Sequence, residues 1–254
     1  MPVSRACRAV NLGRSCYYRP TRDQAAHDAP VIARLNEVVG KHGRWGFWKC
    51  SDRLRNQGRR WNPKRTYRVY CKLGLNLPRR TKKRLPARLR QPLGASAAVN
   101  AVWALDFMSD ALWNGRRFRT LNALDEGVRE GLAIEVDTSL PAKRVIRVLE
   151  RVGEARGLPV ALRMDNGPEF IAQELVDWCQ ARGIEMRYIQ PGKPDQNAYI
   201  ERFNRTVRDE VLNAYVFKDL DQVREITAAW LKTYNEERPH EALGRQPPAV
   251  FRAR

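Results

Sequence analysis

Between residues 100 and 137 the apolar positions come in short runs broken by turn signals, and strands are expected over 100–109, 116–123 and 130–137. Asn114-Gly115 marks a hairpin between the first two, because both residue types tolerate the positive φ of a turn matched to strand twist. The turn around Glu126-Gly127 joins the second strand to the third, so all three should be antiparallel. Val145, Val148, Leu149 and Val152 then recur at helical spacing, closed by Gly157 and Pro159. A strand over 159–164 follows, then a helix with Ile171, Leu175, Trp178 and Cys179 on one stripe before Gly183, and a further strand. A last helix from about Asn197 to Leu212 turns Ile200, Phe203, Val207 and Val211 inward. This order predicts an α/β fold, a mixed five-stranded sheet with flanking helices.

Before residue 99 the periodicity is helical only. Val31, Leu35, Val38 and Val39 mark a helix over 29–41, and a second runs from Gly46 to Asn56 before Gly58 stops it. Asn62 is a good N-cap and Pro63 a good first residue for a helix reaching Leu73, with Gly74 ending it. A shorter helix-turn-helix pattern spans Ser4 to Tyr18 around Asn11-Leu12-Gly13. Residues 79–98 carry Arg, Lys, Pro and Ala without an apolar period and read as a linker. The expected organisation is a small all-α region over 1–78, a linker over 79–98 and an α/β domain over 99–254.

Charge sharpens that division. The 254 residues carry a formal net charge of +19, yet residues 1–99 hold 24 Lys/Arg against 4 Asp/Glu while the remainder is nearly balanced. So positive a field favours a polyanionic partner, nucleic acid first, through counterion release and steering. The helix from Pro63 presents Lys64, Arg65, Arg68 and Lys72 among Tyr67 and Tyr70. It reads either as a recognition helix for a major groove or as a solvated basic face. The basic half of the linker can track a DNA backbone while also joining the two domains. No apolar run approaches about 18 residues, and no signal-peptide pattern follows Met1, so a soluble, cytoplasmic, nucleoid-associated protein is expected. The five cysteines form no CxxC pair and, like the three histidines, suggest no metal cluster.

Three acids stand apart from the other carboxylates. Asp106 lies between Leu105 and Phe107 in an apolar run, Asp165 ends another and meets Asn166-Gly167-Pro168, and Glu201 follows in a helix where it can turn back toward both strand ends. An unpaired charge in such a place is costly unless it meets a partner or a metal. Hard oxygen ligands suit Mg²⁺ or Mn²⁺, and two such ions about 3.5–4 Å apart serve in-line phosphoryl transfer. Taken alone, Glu201 could equally form an intrahelical pair with Arg205, worth about 0.2–0.5 kcal/mol. Asp110 and Asp125 read as surface or structural acids, and Asn197 as a helix cap or a substrate-positioning group.

The runs Trp103 to Phe107, Asp165 to Phe170, Pro191 to Pro194, Gln196 to Asn204 and Tyr234 to His240 resemble the integrase catalytic core of bacterial insertion-sequence transposases, specifically the second-frame protein of the IS-three family. The likeness extends over nearly the whole chain, the first part resembling that protein's helix-turn-helix region. It implies a ribonuclease H-like fold and places the family's Asp-Asp-Glu triad on Asp106, Asp165 and Glu201, with two Mg²⁺ or Mn²⁺ ions at the site. It also implies metal-dependent cleavage and strand transfer at the inverted-repeat ends of an element, a circular DNA intermediate and a multimeric synaptic complex. In the family this protein is commonly made as a frameshifted fusion to an upstream first-frame protein. Asn166, Lys193, Arg205 and Arg208 are the expected DNA contacts near the triad. A catalytically silent DNA-binding regulator and a structure-selective nuclease on the same fold remain the alternatives.

Overall fold

The protein is seen here as a computed structural model that describes residues 2–19, 23–78, 98–190 and 194–253. It divides into two compact units, Met1–Leu54 with Arg60–Leu77, and Arg55–Arg59 with Pro78–Arg254.

The first unit is helical, with α1 (Val3–Ala9), α2 (Arg14–Tyr17), α3 (Gln24–Lys41), α4 (Phe47–Asn56) and α5 (Pro63–Lys72). Val31, Leu35, Val38, Trp45, Cys50, Leu54, Val69 and Tyr70 form its core. Asn62 caps α5 as expected, its side chain accepting from the Lys64 amide at 2.9 Å. The third helix begins earlier than its apolar stripe suggests. Asp23 caps it by accepting from the Ala25 and Ala26 amides, and Pro30 lies inside it. That added turn carries Asp28, which is buried and bonded by Arg65 and Arg68 of α5. The Gln24 side chain, then Arg68 and Arg65, outweigh burial and hold the Asp28 carboxyl well below the usual carboxylate range.

The second unit is built on one sheet in the order β3-β2-β1-β4-β5. β1 (Val102–Ala111), β2 (Arg117–Asp125) and β3 (Glu130–Asp137) are antiparallel, and β4 (Ala161–Met164) and β5 (Glu185–Tyr188) run parallel to β1. Because side chains alternate along a strand, β1 feeds two cores. Trp103 and Leu105 join Leu121, Ala123, Leu162 and Met164 beneath α6 (Ala142–Arg156) and α7 (Gln173–Ala181). Ala104 and Met108 face the other way, toward Ile200, Phe203 and Val207 of α8 (Ala198–Val207) and Val223 and Tyr234 of α9 (Leu220–Glu236). One position departs from the sequence pattern. Ile171 is exposed ahead of α7, and its neighbour Phe170 fills the core instead, stacked on Phe107 with ring centres 4.8 Å apart.

α8 widens into a π-helical turn, Arg208–Leu212, before α9; a 3-10 turn (Glu241–Leu243) and α10 (Pro248–Arg252) end the chain. The segment from Tyr234 to His240 braces this end of the unit. Tyr234 packs on Phe203 and Trp230, Asn235 bonds both the amide and the carbonyl of Gly131, and Arg238 pairs with Glu210 in the π turn.

Candidate active site

The strand phase that builds the two cores also assembles the acids. Asp106 shares the α8 face of β1 with Ala104 and Met108. Ala104 pairs with Arg163 in the parallel register of β1 and β4, so two residues further along each chain Asp106 and Asp165 come side by side where β4 ends, in the middle of the sheet. Glu201 sits in the first turn of α8, the helix covering that face. The charges feel one another. Burial pushes the Asp106 carboxyl up to about 6, with Asp165 and Glu201 pushing the same way against the Phe107 amide and the Asn204 side chain.

Two asparagines hold Asp106 in place. Asn204, one turn after Glu201 on α8, donates from Nδ2 to Asp106 Oδ2 at 2.7 Å, and Asn122 Nδ2 donates to Asn204 Oδ1 at 2.7 Å. Asn122 is the residue directly across from Asp106 in the β1–β2 register, so strand, strand and helix meet in one hydrogen-bonded chain. The Phe107 amide donates to Asp106 Oδ1 at 2.8 Å. Asp165 Oδ1 accepts from the Gly167 amide at 3.0 Å, and a Cβ at Gly167 would stand 2.9 Å from that oxygen, so the Asp-Asn-Gly sequence is needed for the turn that aims Asp165.

Glu201 is exposed, with no ion pair to Arg205 or any other described residue. Among the described residues no three His, Cys, Asp or Glu side chains converge closely enough to hold a metal ion as they stand. The donor set nevertheless suits a hard divalent cation: Asp106 is a half-buried carboxylate pushed up by burial and by two further carboxylates, and positive charge beside it would relieve that push.

Arg205 is exposed. Arg208 reaches back to β1, donating to the Ser109 carbonyl at 3.0 Å and lying 3.4 Å from Asp110. Asn166 is exposed beside Asp165, its Nδ2 3.4 Å from the Ile189 carbonyl. Lys193 lies outside the described residues. In the helical unit Lys64 and Lys72 are exposed, whereas Arg65 and Arg68 are engaged by Asp28. Asp125 is a structural acid, accepting from the Asn100 and Gly127 amides. Asn197 stands at the N-cap position of α8 but makes no side-chain cap hydrogen bond. Sequence reasoning missed Asn122 and Asn204. Asn204 is a lone amide in an apolar helix stripe and Asn122 a buried amide on a strand face, and burying such a group without a hydrogen bond is costly, which is the signal that marks them.

Residues 96–194 and 182–248 each match an integrase core domain, and residues 26–84 an HTH-like domain. The chain is 41% identical over 249 residues to the insertion element IS476 uncharacterized 39.2 kDa protein of Xanthomonas euvesicatoria, covering 98% of this chain and 72% of that protein. It is also 41% identical over 251 residues to the insertion element IS407 uncharacterized 31.7 kDa protein of Burkholderia multivorans, covering 98% and 90%. Among solved structures, the HTLV-2 integrase catalytic core domain in complex with magnesium superimposes with a TM-score of 0.51 at 18% identity, over 62% of this chain and 99% of that one. A simian T-cell lymphotropic virus intasome in complex with the PP2A regulatory subunit B56 gamma gives 0.53 at 16% identity, over 88% and 74%. Those two likenesses show the fold, a ribonuclease H-like integrase core, and the insertion-element relatives show the lineage: the chain belongs to the IS-three family of insertion-sequence transposases, as a second-frame protein.

Proposed function

We propose that this transposase is a DDE enzyme that cuts DNA at the ends of its insertion sequence and joins the exposed ends to a target. The observation that carries the reading is the placement of Asp106, Asp165 and Glu201 on one face, with Asp106 raised by burial and by both neighbours. In the first step water attacks the phosphorus at the element's end and the 3′-oxygen leaves, giving a 3′-hydroxyl and a 5′-phosphate. In the second, that 3′-hydroxyl attacks a target phosphodiester and displaces the target's own 3′-oxygen, conserving the number of phosphodiester bonds. Two Mg²⁺ or Mn²⁺ ions, when bound, would activate the incoming hydroxyl and stabilise the outgoing oxygen.

The chain's own residues prepare that chemistry. Asp106, Asp165 and Glu201 supply the oxygen ligands, and Asn122 and Asn204 fix the orientation of Asp106 and favour its ionised form. Arg205, Arg208, Asn166 and Lys193 are the proposed phosphate contacts near the triad. In the helical unit Lys64 and Lys72 lead the proposed DNA contacts, and Arg65 and Arg68 shape the helix pair while adding positive charge. The same reading places the protein in the cytoplasm at the nucleoid, as a homo-oligomer on paired ends, with a first-frame protein as fusion or partner.

The test is incubation of purified protein with labelled linear DNA carrying the host element's ends, with Mg²⁺ or Mn²⁺, for wild type and for Asp106→Ala, Asp165→Ala and Glu201→Ala. Nicked and joined products from wild type, lost in all three variants, are expected. Cleavage without joining points to a nuclease. Binding without cleavage, unchanged by the substitutions, points to a DNA-binding regulator.

A further inference from the structure

A buried ion pair behind the acids is unused by this chemistry. Glu126, just past β2, is 1% exposed, and neither of its carboxylate oxygens accepts a hydrogen bond among the described residues. Its ion-pair partner is Arg163, with Nε 3.5 Å from Glu126 Oε1. Removing a carboxylate from water with so few compensating bonds is expensive, and apolar residues of similar volume commonly do as well or better for stability. Stability therefore gives no account of the pair.

Arg163 does something else with its far end. It lies on β4, two residues before Asp165 and on the same face, and its NH1 donates to the Gln196 carbonyl at 2.9 Å. Gln196 belongs to the 3-10 turn Pro194–Asn197 that leads straight into α8. The Gln196 side chain in turn accepts from the Gln190 amide, just beyond β5, at 2.8 Å. With no cap from Asn197, the entry to α8 is fastened to the sheet, among the described residues, by these two bonds. A single guanidinium thus connects the strand that leads to Asp165 to the turn that starts the helix bearing Glu201.

We propose that Arg163, braced by Glu126, is a positioning residue for the third acid, setting the separation of Asp165 and Glu201 by pinning the turn before α8. The proposal rests on the three-acid reading above. Glu126 holds the Nε side of the Arg163 head, which leaves Nη1 aimed at the Gln196 carbonyl. Residues that orient ligands in this way carry about 10- to 100-fold in metal affinity.

The test uses the full chain and Mn²⁺ alone as probe, reading Mn²⁺ binding by electron paramagnetic resonance and amide hydrogen exchange over residues 196–202. Arg163→Met strands a buried carboxylate and can fail to fold, so the informative protein is the double variant Glu126→Gln/Arg163→Met, with Glu201→Gln as reference. The double variant should stay folded, exchange faster over 196–202 and bind Mn²⁺ about 10- to 100-fold more weakly. Glu201→Gln should lose Mn²⁺ binding while keeping its protection. A double variant that binds Mn²⁺ as tightly as wild type overturns the proposal, whether or not its exchange changes. Wild type binding no better than Glu201→Gln sinks the metal site itself, a different result from one in which wild type and double variant bind equally.

Discussion

Replacing Asn204 with alanine removes both links of the Asn122–Asn204–Asp106 chain, and its cost can be worked from the two 2.7 Å bonds. A hydrogen bond to a charged group contributes about 1.5–3 kcal/mol and a neutral one about 0.5–1.5, and both partners stay behind with donors or acceptors to satisfy. About 2–4 kcal/mol is therefore expected at pH 8. The charged share must depend on pH. Asn204 favours ionised Asp106, whose folded pKa of about 6 already exceeds its ordinary value of 3.8. Losing the donor raises the folded pKa further, so the penalty is full above the variant's raised pKa, fades as pH falls from there to about 6, and is gone below about 6, where the carboxyl is protonated in either protein. At pH 5 only the Asn122 share of about 1 kcal/mol should remain. Native-state exchange of the most protected β1 and β2 amides reports the opening free energy of this unit by itself. An equal cost at pH 5 and pH 8, or a cost below about 0.5 kcal/mol at pH 8, would refute the argument.

Three other outcomes follow from the packing. Gly131→Ala places a Cβ 2.5 Å from Leu231 Cδ1 and 2.9 Å from Phe203 Cε2, so overpacking should cost about 1–3 kcal/mol in urea unfolding. Arg238→Met leaves Glu210 without its cation and should cost about 3 kcal/mol, much of it recovered by adding Glu210→Gln, whose amide still accepts from Trp230; a double variant as unstable as the single would contradict this. Asp28→Asn should lower the melting temperature at pH 7. Because the folded carboxyl is held below its ordinary pKa, the deficit should shrink as pH falls through and below 3.8, and a deficit constant down to pH 2 would argue against an electrostatic origin.

What the sequence made legible was whatever depends on neighbours in the chain. The Asn114-Gly115 hairpin, the Asn62-Pro63 helix start and the inward stripe of Ile200, Phe203, Val207 and Val211 are all local, and all appear in the fold. Asp106 and Asp165 stood out as candidates because each is a charge set in or just after an apolar run, and the fold sets both on the α8 side of the sheet. Features set by distant partners were not legible. Arg65 and Arg68 read as free basic groups because Asp28, their partner, lies 37 and 40 residues away on another helix. Pro30 concealed the first turn of α3, whose start is set by Asp23 several residues upstream. Asn204 is an unremarked letter inside a helix until β1 and β2 bring Asp106 and Asn122 against it. Ile171 satisfied the apolar period, yet the helix starts only at Gln173 and Phe170 takes the buried place.

The alternation of β1 has a genetic consequence. Deleting or inserting one codon between Val102 and Asp106 would put the acid out of phase with the strand before it, swinging either Asp106 into the apolar layer beneath α6 and α7 or the apolar residues ahead of it toward α8, so such copies lose fold and chemistry together. A missense change at codon 106 does the opposite: it spares the alternation and, on the three-acid reading proposed above, should leave a folded protein that occupies element ends without cutting them. Small indels in this strand should therefore behave as recessive nulls, while substitutions of Asp106 should act as poisons on intact copies in the same cell.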